Sequence, residues 1–139
     1  MIILDTNVIS ALMRDRPDEQ VATWLDSQPG ASIWTTAINV FEIRCGLLSM
    51  PAGKRQVLLL EAFASVLEVT IQGRIALFDL AAAQAAAELE AAGLKKGRPR
   101  EARDTMIAGI VVSSHAILAT RNIKHFYDIA SSVVSPWES

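Results

Sequence analysis

A chain of 139 residues, 51% of them hydrophobic, is long enough to bury the core of one domain, and we expect residues 1–139 to form that single domain. The net charge of −2 at pH 7 argues against a uniformly basic nucleic-acid binder, and no apolar run approaches the roughly 20 residues that would span a membrane. The single cysteine excludes an intrachain disulfide and no secretory signal is visible, so we expect a cytoplasmic protein.

The chain begins with an apolar row that ends at an acid. Residues 1–4 are all apolar, which is typical of a strand buried on both faces at the centre of a parallel sheet. Apolar residues at helical spacing over 8–13 predict a helix directly afterwards. Asp5 would therefore lie at the carboxyl edge of the sheet, where open α/β sheets bind ligands. The alternative is that Asp5, Thr6 or Asn7 only caps the helix.

The rest of the chain alternates predicted helices and strands. The patterns predict helices over 18–26, 37–50, from after Gly53 to about 67, 80–92 and from 104 to 115, and strands over 32–35, 75–78, 116–119 and 133–134. Asp79 is the expected N-cap of the helix over 80–92, and Gly93 its expected C-cap. This alternation predicts an α/β fold with three layers, a parallel sheet between helices on both faces.

The helix predicted over residues 80–92 is apolar on nearly every face. Such helices are buried or paired with another chain. The mean hydropathy of +0.30 is also high for a protein of this size without a membrane span. Both observations predict self-association, and we expect a homodimer.

Residues 95–103 form a basic segment in an otherwise acidic chain. The segment holds five cations and one acid. Such a run is commonly a solvated loop. Its position directly before Asp104 leaves a second interpretation open, in which the cations meet substrate phosphates.

Four side chains with oxygen donors recur at comparable places in the predicted fold. Asp5 follows the first strand, Asp104 stands at a helix start and Asn122 follows the last strong strand, while Glu42 lies on the polar face of the helix over 37–50. In a doubly wound sheet these residues can meet at one edge. Crowded carboxylates repel one another unless a cation lies between them, and hard divalent ions prefer oxygen ligands. The pattern predicts a site for Mg²⁺ or Mn²⁺, whereas two histidines and one cysteine are too sparse for zinc.

With these residues in place, the chain resembles the PIN-domain ribonucleases, in particular the toxins of VapBC-type toxin–antitoxin pairs and their FitB-like branch. The matching stretches follow the family's order along essentially the whole chain: Ile3-Leu4-Asp5-Thr6-Asn7, Thr36-Ala37 leading into Glu42-Ile43-Arg44-Cys45-Gly46, Gly97-Arg98-Pro99 before Asp104 and Ile107-Ala108, Leu118-Ala119-Thr120-Arg121-Asn122 with His125-Phe126, and Ser135-Pro136-Trp137. Each motif alone is common, but the ordered set is specific.

The resemblance implies a catalytic set of Asp5, Glu42, Asp104 and Asn122. The first three occupy the family's acidic positions and would hold the metal ion, Mg²⁺ or Mn²⁺. Asn122 stands at a fourth position where many members have Asp. This departure removes one negative charge and makes a second ion depend on substrate phosphate.

Further residues take secondary roles in this comparison. Thr6 and Thr120 would support the acids through hydrogen bonds. Arg121 would face the scissile phosphate, or else be an ordinary solvated side chain. The residues expected to bind substrate are the first three cations of the basic segment, Lys95, Lys96 and Arg98.

The resemblance thus implies a metal-dependent endoribonuclease that acts as the toxin of a bacterial type II toxin–antitoxin pair. It would hydrolyse RNA phosphodiester bonds with a metal-activated water, leaving 5′-phosphate and 3′-hydroxyl ends, and would bind a cognate antitoxin, as a homodimer or in a higher toxin–antitoxin assembly. Two alternatives remain at this point. Asn122 favours a PIN-fold interaction module that binds antitoxin or RNA without efficient cleavage. A haloacid-dehalogenase-type phosphatase would need a second Asp two residues after Asp5, where the chain has Asn7.

Overall fold

A five-stranded parallel sheet forms the centre of the computed structural model, which describes residues 1–138. The strands are β1 (Ile2–Leu4), β2 (Ile33–Thr36), β3 (Ile75–Ala76), β4 (Ile117–Ala119) and β5 (Val133–Val134). The helices are α1 (Thr6–Leu12), α2 (Glu19–Asp26), α3 (Ala37–Leu48), α4 (Lys54–Ser65), α5 (Leu80–Lys95) and α6 (Ala102–Ser113). A π-helical turn over Val66–Ile71 and 3₁₀ segments over Gly30–Ser32 and Ile123–Ser132 complete the chain. The strand order is β3-β2-β1-β4-β5, so β1 lies in the middle of the sheet.

The two faces of the sheet are covered by different helices. Ile3 is in register with Trp34 and Leu118, and it packs in a core formed with α5 and α6. Leu4 points the opposite way, as the next residue of a strand must, and packs with Ala119 against α1 to α4. Both Ile3 and Leu4 are fully buried. The predicted α/β fold, a parallel sheet with helices on both faces, is therefore confirmed.

Helices α5 and α6 pack closely through small residues. A Cβ atom added at Gly109 would lie 2.4 Å from the carbonyl oxygen of Ala82 and 2.7 Å from the Cβ of Ala86, so only glycine fits there. The opposite face of α5 is exposed, including Leu80 at 73% and Leu94 at 61%. Within residues 1–138, no helix is both long and apolar enough to span a lipid bilayer.

Several predicted boundaries shift by one or a few residues, and three of these changes have an identifiable cause. The strand predicted over 75–78 ends at Ala76, because its partner β2 ends at Thr36, where α3 begins, and Leu77 and Phe78 are exposed. Gly93 is not a C-cap, since α5 continues to Lys95. Its lack of a side chain instead allows the following loop to approach, because an added Cβ would lie 2.7 Å from the carbonyl oxygen of Arg98.

The third change concerns the helix that contains Asp104. We expected it to begin at that acid, but α6 begins at Ala102 and Glu101 is its N-cap. The carboxylate of Glu101 accepts a 2.9 Å hydrogen bond from the backbone N–H of Asp104. The Asp104 side chain is therefore not used as a cap. By contrast, the expected cap at Asp79 is confirmed, with Oδ1 accepting from the N–H of Ala82 at 3.0 Å.

Candidate active site

A cavity of about 430 Å³ opens at the carboxyl ends of β1 and β4, and we call it the acid cavity. Its lining residues are Asp5, Thr6, Asn7, Ser10, Arg14, Glu42, Asp104, Arg121, Asn122 and Trp137. All four residues predicted to form the catalytic set are among them. Thr120 lies buried behind the wall, and none of the three predicted substrate-binding cations lines this cavity.

Asp5 is held in place by three hydrogen bonds. Its Oδ1 accepts from the backbone N–H of Thr6 and from Nδ2 of Asn39, both at 2.9 Å. Its Oδ2 accepts from Oγ1 of Thr120 at 2.7 Å. Asp5 is thus the N-cap of α1 and also lines the acid cavity, so the two interpretations of this residue hold together. Since a carboxylate offers about four lone-pair sites, one site remains on Oδ2.

Asn39 is a site residue that the sequence interpretation missed. Its side chain is fully buried, and Nδ2 donates to Asp5 and, at 3.0 Å, to Oγ1 of Thr6. Its Oδ1 accepts from Oγ1 of Thr36 at 2.6 Å. Every donor and acceptor of this amide has a partner. The available signal was its position three residues before Glu42, on the polar row of the same helix.

The first turn of α1 is joined behind the cavity to the loop that follows β4. Oγ1 of Thr120 donates to Asp5 and accepts from Nδ2 of Asn7 at 3.3 Å and from the N–H of Asn122 at 3.0 Å. Oδ1 of Asn7 in turn accepts from the N–H of Arg121 at 3.0 Å. These bonds fix the backbone of residues 120–122, so that Arg121 and Asn122 line the acid cavity.

The acids of the cavity repel one another. Burial raises the pKa of the Glu42 carboxyl above its ordinary value, and the charge of Asp5 raises it further. Burial also raises the pKa of Asp104, and the charges of Asp5 and Glu101 add to the rise. The Arg103 guanidinium opposes the rise at Glu42 without cancelling it. A cation placed among these carboxylates would relieve the repulsion.

His125 is a second neighbour that was not predicted for the site. Its Nδ1 lies 3.2 Å from Oδ2 of Asp104, and this contact opposes the rise in the pKa of Asp104. The His125 side chain is 57% exposed, whereas that of Asp104 is 22% exposed. The contact joins the 3₁₀ segment after β4 to the first turn of α6, a pairing between distant parts of the chain that local pattern does not encode.

The donors fit a hard divalent ion that keeps part of its water. In the described part of the chain, no group of three or more Asp, Glu, His or Cys side chains is arranged to hold an ion by itself. Mg²⁺ usually binds through one or two carboxylates and retains several waters, so a complete protein cage is not required. The free lone pair of Asp5 and the raised pKa values of Glu42 and Asp104 fit that mode of binding.

The basic segment separates into parts with different surroundings. Lys95 ends α5 and Lys96 is its C-cap, and both are exposed. Arg98 lines a second cavity that shares Asp104 with the acid cavity. Arg100 has a side chain only 2% exposed and forms an ion pair with Asp128, so it is not part of a solvated loop.

Comparisons with known proteins match the chain to one family along most of its length. The family model described as the PIN domain matches residues 2–131. The protein named VapC ribonuclease Y4jK, from Sinorhizobium fredii, is 36% identical over 138 residues, which cover 99% of each chain. Toxin FitB from Neisseria gonorrhoeae is 34% identical over 137 residues, again 99% of each. The solved structure of FitAcB from Neisseria gonorrhoeae has 33% identity and a TM-score of 0.88, and the match covers all of both chains.

Proposed function

Because this chain belongs to the PIN-domain family and is a homologue of the VapC and FitB toxins, we propose that it is an endoribonuclease acting as the toxin of a type II toxin–antitoxin pair. One observation carries the assignment. Asp5, Glu42 and Asp104 come from three distant parts of the chain and line one cavity, where burial, and then the charge of Asp5, raise the pKa of Glu42 and of Asp104. Such convergence is typical of a functional site.

The activity would depend on Mg²⁺ or Mn²⁺, held by Asp5, Glu42 and Asp104. When bound, such an ion polarises the scissile phosphate and lowers the pKa of a water that can attack it. The chain's own contribution is to bring the three carboxylates to one cavity and to fix the orientation of Asp5. Asn39 and Thr120 do this for Asp5 through their hydrogen bonds at 2.9 and 2.7 Å. Thr6 has the same role through its bond to Asn39, which sets the rotamer of that amide.

The side of the acid cavity away from the three carboxylates would contact the RNA substrate. Arg121 and Arg14 line the acid cavity and can donate to the oxygens of a phosphate. Asn122 would orient phosphate or water by hydrogen bonds, although it brings no charge of its own. Lys95 and Lys96 would meet RNA further from the scissile bond, since they line neither cavity.

The proposed toxin needs partners. We infer that a cognate antitoxin protein neutralises it in the cytoplasm, where the lone Cys45 stays reduced. Self-association as a homodimer, alone or within a toxin–antitoxin assembly, is supported by apolar side chains exposed at the start of α5. Solved structures of similar proteins support an antitoxin partner for this chain, because complexes named FitAB and VapBC-1 contain this fold.

Inducible expression with sequencing of RNA 5′ ends tests the proposal. The wild type should arrest growth and produce discrete cuts, whereas Asp5→Asn should do neither. The Asp5→Asn fold should survive, because the amide has nearly the size of the carboxylate and its oxygen can still accept from Thr6 and Asn39, so that only the bond from Thr120 is lost. Asp26→Asn, an exposed change at the end of α2, is the matched control and should behave as wild type. Cleavage by Asp5→Asn would refute the metal assignment.

The second candidate is an interaction module that binds antitoxin or RNA without efficient cleavage. Two features favour it: Asn122 is neutral, and no complete metal-ligand group exists among residues 1–138. Purified wild type that binds RNA but leaves it intact in both Mg²⁺ and Mn²⁺ would establish this candidate. Cleavage by the wild type that is lost in Asp5→Asn would exclude it.

A further inference from the structure

A second cavity, of about 350 Å³, adjoins the acid cavity, and we call it the basic cavity. Asp104 lines both, so they are neighbouring compartments of one surface depression. The remaining wall of the basic cavity includes Arg98, Arg100, Lys124 and Tyr127. Its cations come from two distant parts of the chain, the loop before α6 and the 3₁₀ segment after β4.

Arg100 places a fixed positive charge in the wall of the basic cavity. Its side chain is 2% exposed, its Nη1 forms an ion pair with Asp128, and its Nε donates to Oγ1 of Thr105 at 3.1 Å. Among residues 1–138, its buried Nη2 has no hydrogen-bond partner. Asp128 therefore pairs with this guanidinium inside the wall, and Arg100 is a fixed part of the cavity rather than a cation free to contact a ligand.

Arg98 is held at the mouth of the same cavity. Its guanidinium lies 3.6 Å from the ring centroid of Tyr127, and its backbone N–H donates to the carbonyl of Gly93 at 2.8 Å. Gly97 directly before it has a φ of 67°, which glycine adopts readily. Stacking occupies the face of the guanidinium and leaves its edge free to donate, so Arg98 is preorganised for an oxyanion.

Two cations of the basic cavity have no carboxylate partner in the described part of the chain, Arg98 and Lys124. Arg100 is paired with Asp128, and the acids in the same wall are Glu101 and Asp104. Glu101 already accepts from the backbone N–H of Asp104. Asp104 faces His125 and the acid cavity. The exposed cations Arg98 and Lys124 are thus available to a ligand.

We propose that the basic cavity binds a backbone phosphate of the RNA strand next to the scissile phosphate, through Arg98 and Lys124. This inference rests on the proposed nuclease function and adds a subsite to it. A phosphate diester is the anion that two convergent cations beside an RNA-cleaving site would meet. Base stacking is not the basis of recognition here, because Arg98 already covers the Tyr127 ring.

The test is steady-state cleavage of a short single-stranded RNA by the full-length protein in Mg²⁺. Lys124→Ala and Arg98→Ala should each raise KM by about tenfold and leave kcat within about twofold, because the contact is equal in ground and transition states. The slope of log KM against log salt should fall by about 0.7 for each cation removed. The matched controls are Lys54→Ala and Arg55→Ala, exposed residues at the start of α4 that line neither cavity. They should change KM by less than about twofold.

The outcomes separate this subsite from the nuclease assignment. Wild-type cleavage with equal KM values for cavity and control variants would overturn the subsite and leave the nuclease intact. A wild type that neither cleaves nor binds RNA would overturn both. Binding of the same RNA, now labelled with a fluorophore, is measured to Asp5→Asn and to the double variant Asp5→Asn/Lys124→Ala. The double variant should bind about tenfold more weakly, without any turnover. Thermal melting of each variant confirms that the fold is retained.

Discussion

Nδ2 of Asn39 donates a 2.9 Å hydrogen bond to Oδ1 of Asp5, and neither residue is more than 6% exposed. The bond ties the first turn of α3 to the end of β1. Glu42 lies one turn further along the same helix and lines the same cavity. One buried amide thus sets the orientation of the first acid and the position of the helix that presents the second.

Asn39→Ala should lower the free energy of unfolding by about 1–3 kcal/mol, because Oδ1 of Asp5 loses one of its donors and the buried hydroxyl of Thr36 loses its acceptor. Urea denaturation measures the loss, and the m-value should not change. Cleavage should also fall by roughly 10–100-fold, the usual effect of removing a residue that orients a metal ligand. Asn122→Ala, an exposed side chain in the same cavity, should change stability by less than about 0.5 kcal/mol. Equal stability of the two variants would contradict the orienting role.

Mg²⁺ should raise the melting temperature of the wild type. At about 100 times its dissociation constant, a ligand that binds only the folded state adds about 2.7 kcal/mol. Differential scanning fluorimetry in Mg²⁺ against chelator measures the shift. The shift should be lost in Asp5→Asn and kept in Asp26→Asn, which removes the same charge from an exposed site on α2. An equal shift in both variants would mean that the ion binds elsewhere.

The pH dependence of stability should report the crowded acids. Because the folded-state pKa values of Glu42 and Asp104 are raised, the folded protein keeps protons that the unfolded chain releases from about pH 4 upward. In chelator, the wild type should therefore lose stability relative to Glu42→Gln as the pH rises through that window. The difference should become constant above the raised pKa. Urea denaturation at several pH values measures it, and a difference independent of pH would exclude the repulsion.

Local pattern was enough to predict the elements that form the sheet edge. The apolar row before Asp5 and the helical spacing after it are encoded within a dozen residues, and the structure has both elements. The polar row on α3 likewise predicted that Glu42 would point away from the core. The doubly wound topology grouped these acids with Asp104, the ordered resemblance gave them the catalytic role, and all three line one cavity.

The partners of these acids could not be predicted in the same way. The bond from Asn39 to Asp5 spans 34 positions, and that from Thr120 spans 115. Such pairs depend on strand register and helix packing, which the sequence does not display locally. For the same reason the sequence interpretation included Lys95, Lys96 and Arg98 of the basic segment but not Lys124. In the structure, the exposed cations that line the basic cavity are Arg98 and Lys124. Gly93 was misinterpreted because its role depends on a loop that returns to it.

Self-association should depend on the apolar surface at the start of α5. Leu77, Phe78 and Leu80 are consecutive or nearly so and are 67%, 37% and 73% exposed. Burial of this surface in a homodimer would be favourable, so Leu80→Glu should convert a dimer at micromolar concentration into a monomer. Sedimentation equilibrium measures the mass. Val69→Glu, a change at another exposed apolar residue, should leave the dimer intact. A monomeric wild type would contradict the homodimer.

The C-terminal segment supports one wall of the acid cavity. The Arg121 guanidinium lies 4.7 Å from the ring centroid of Trp137, and both residues line the cavity. Nε1 of Trp137 donates to Oδ2 of Asp18 at 3.0 Å, and this bond lowers the pKa of the Asp18 carboxyl below its ordinary value. The indole is thus anchored at the N-terminus of α2 and offers its face to Arg121.

If Trp137 acts by positioning Arg121, then losing either residue should have the same effect on cleavage. We expect Trp137→Ala and Arg121→Ala each to lower kcat/KM by roughly tenfold, and the double variant to lose little more, because both changes remove one cation from the phosphate. Trp137→Phe keeps an aromatic face and should retain most of the activity, although it loses the bond to Asp18. Steady-state kinetics with one RNA, measured for the wild type, both single variants and the double variant, give the double-mutant cycle. Losses that multiply in the double variant would show that Trp137 and Arg121 act independently, and that the stacking at 4.7 Å has no part in catalysis.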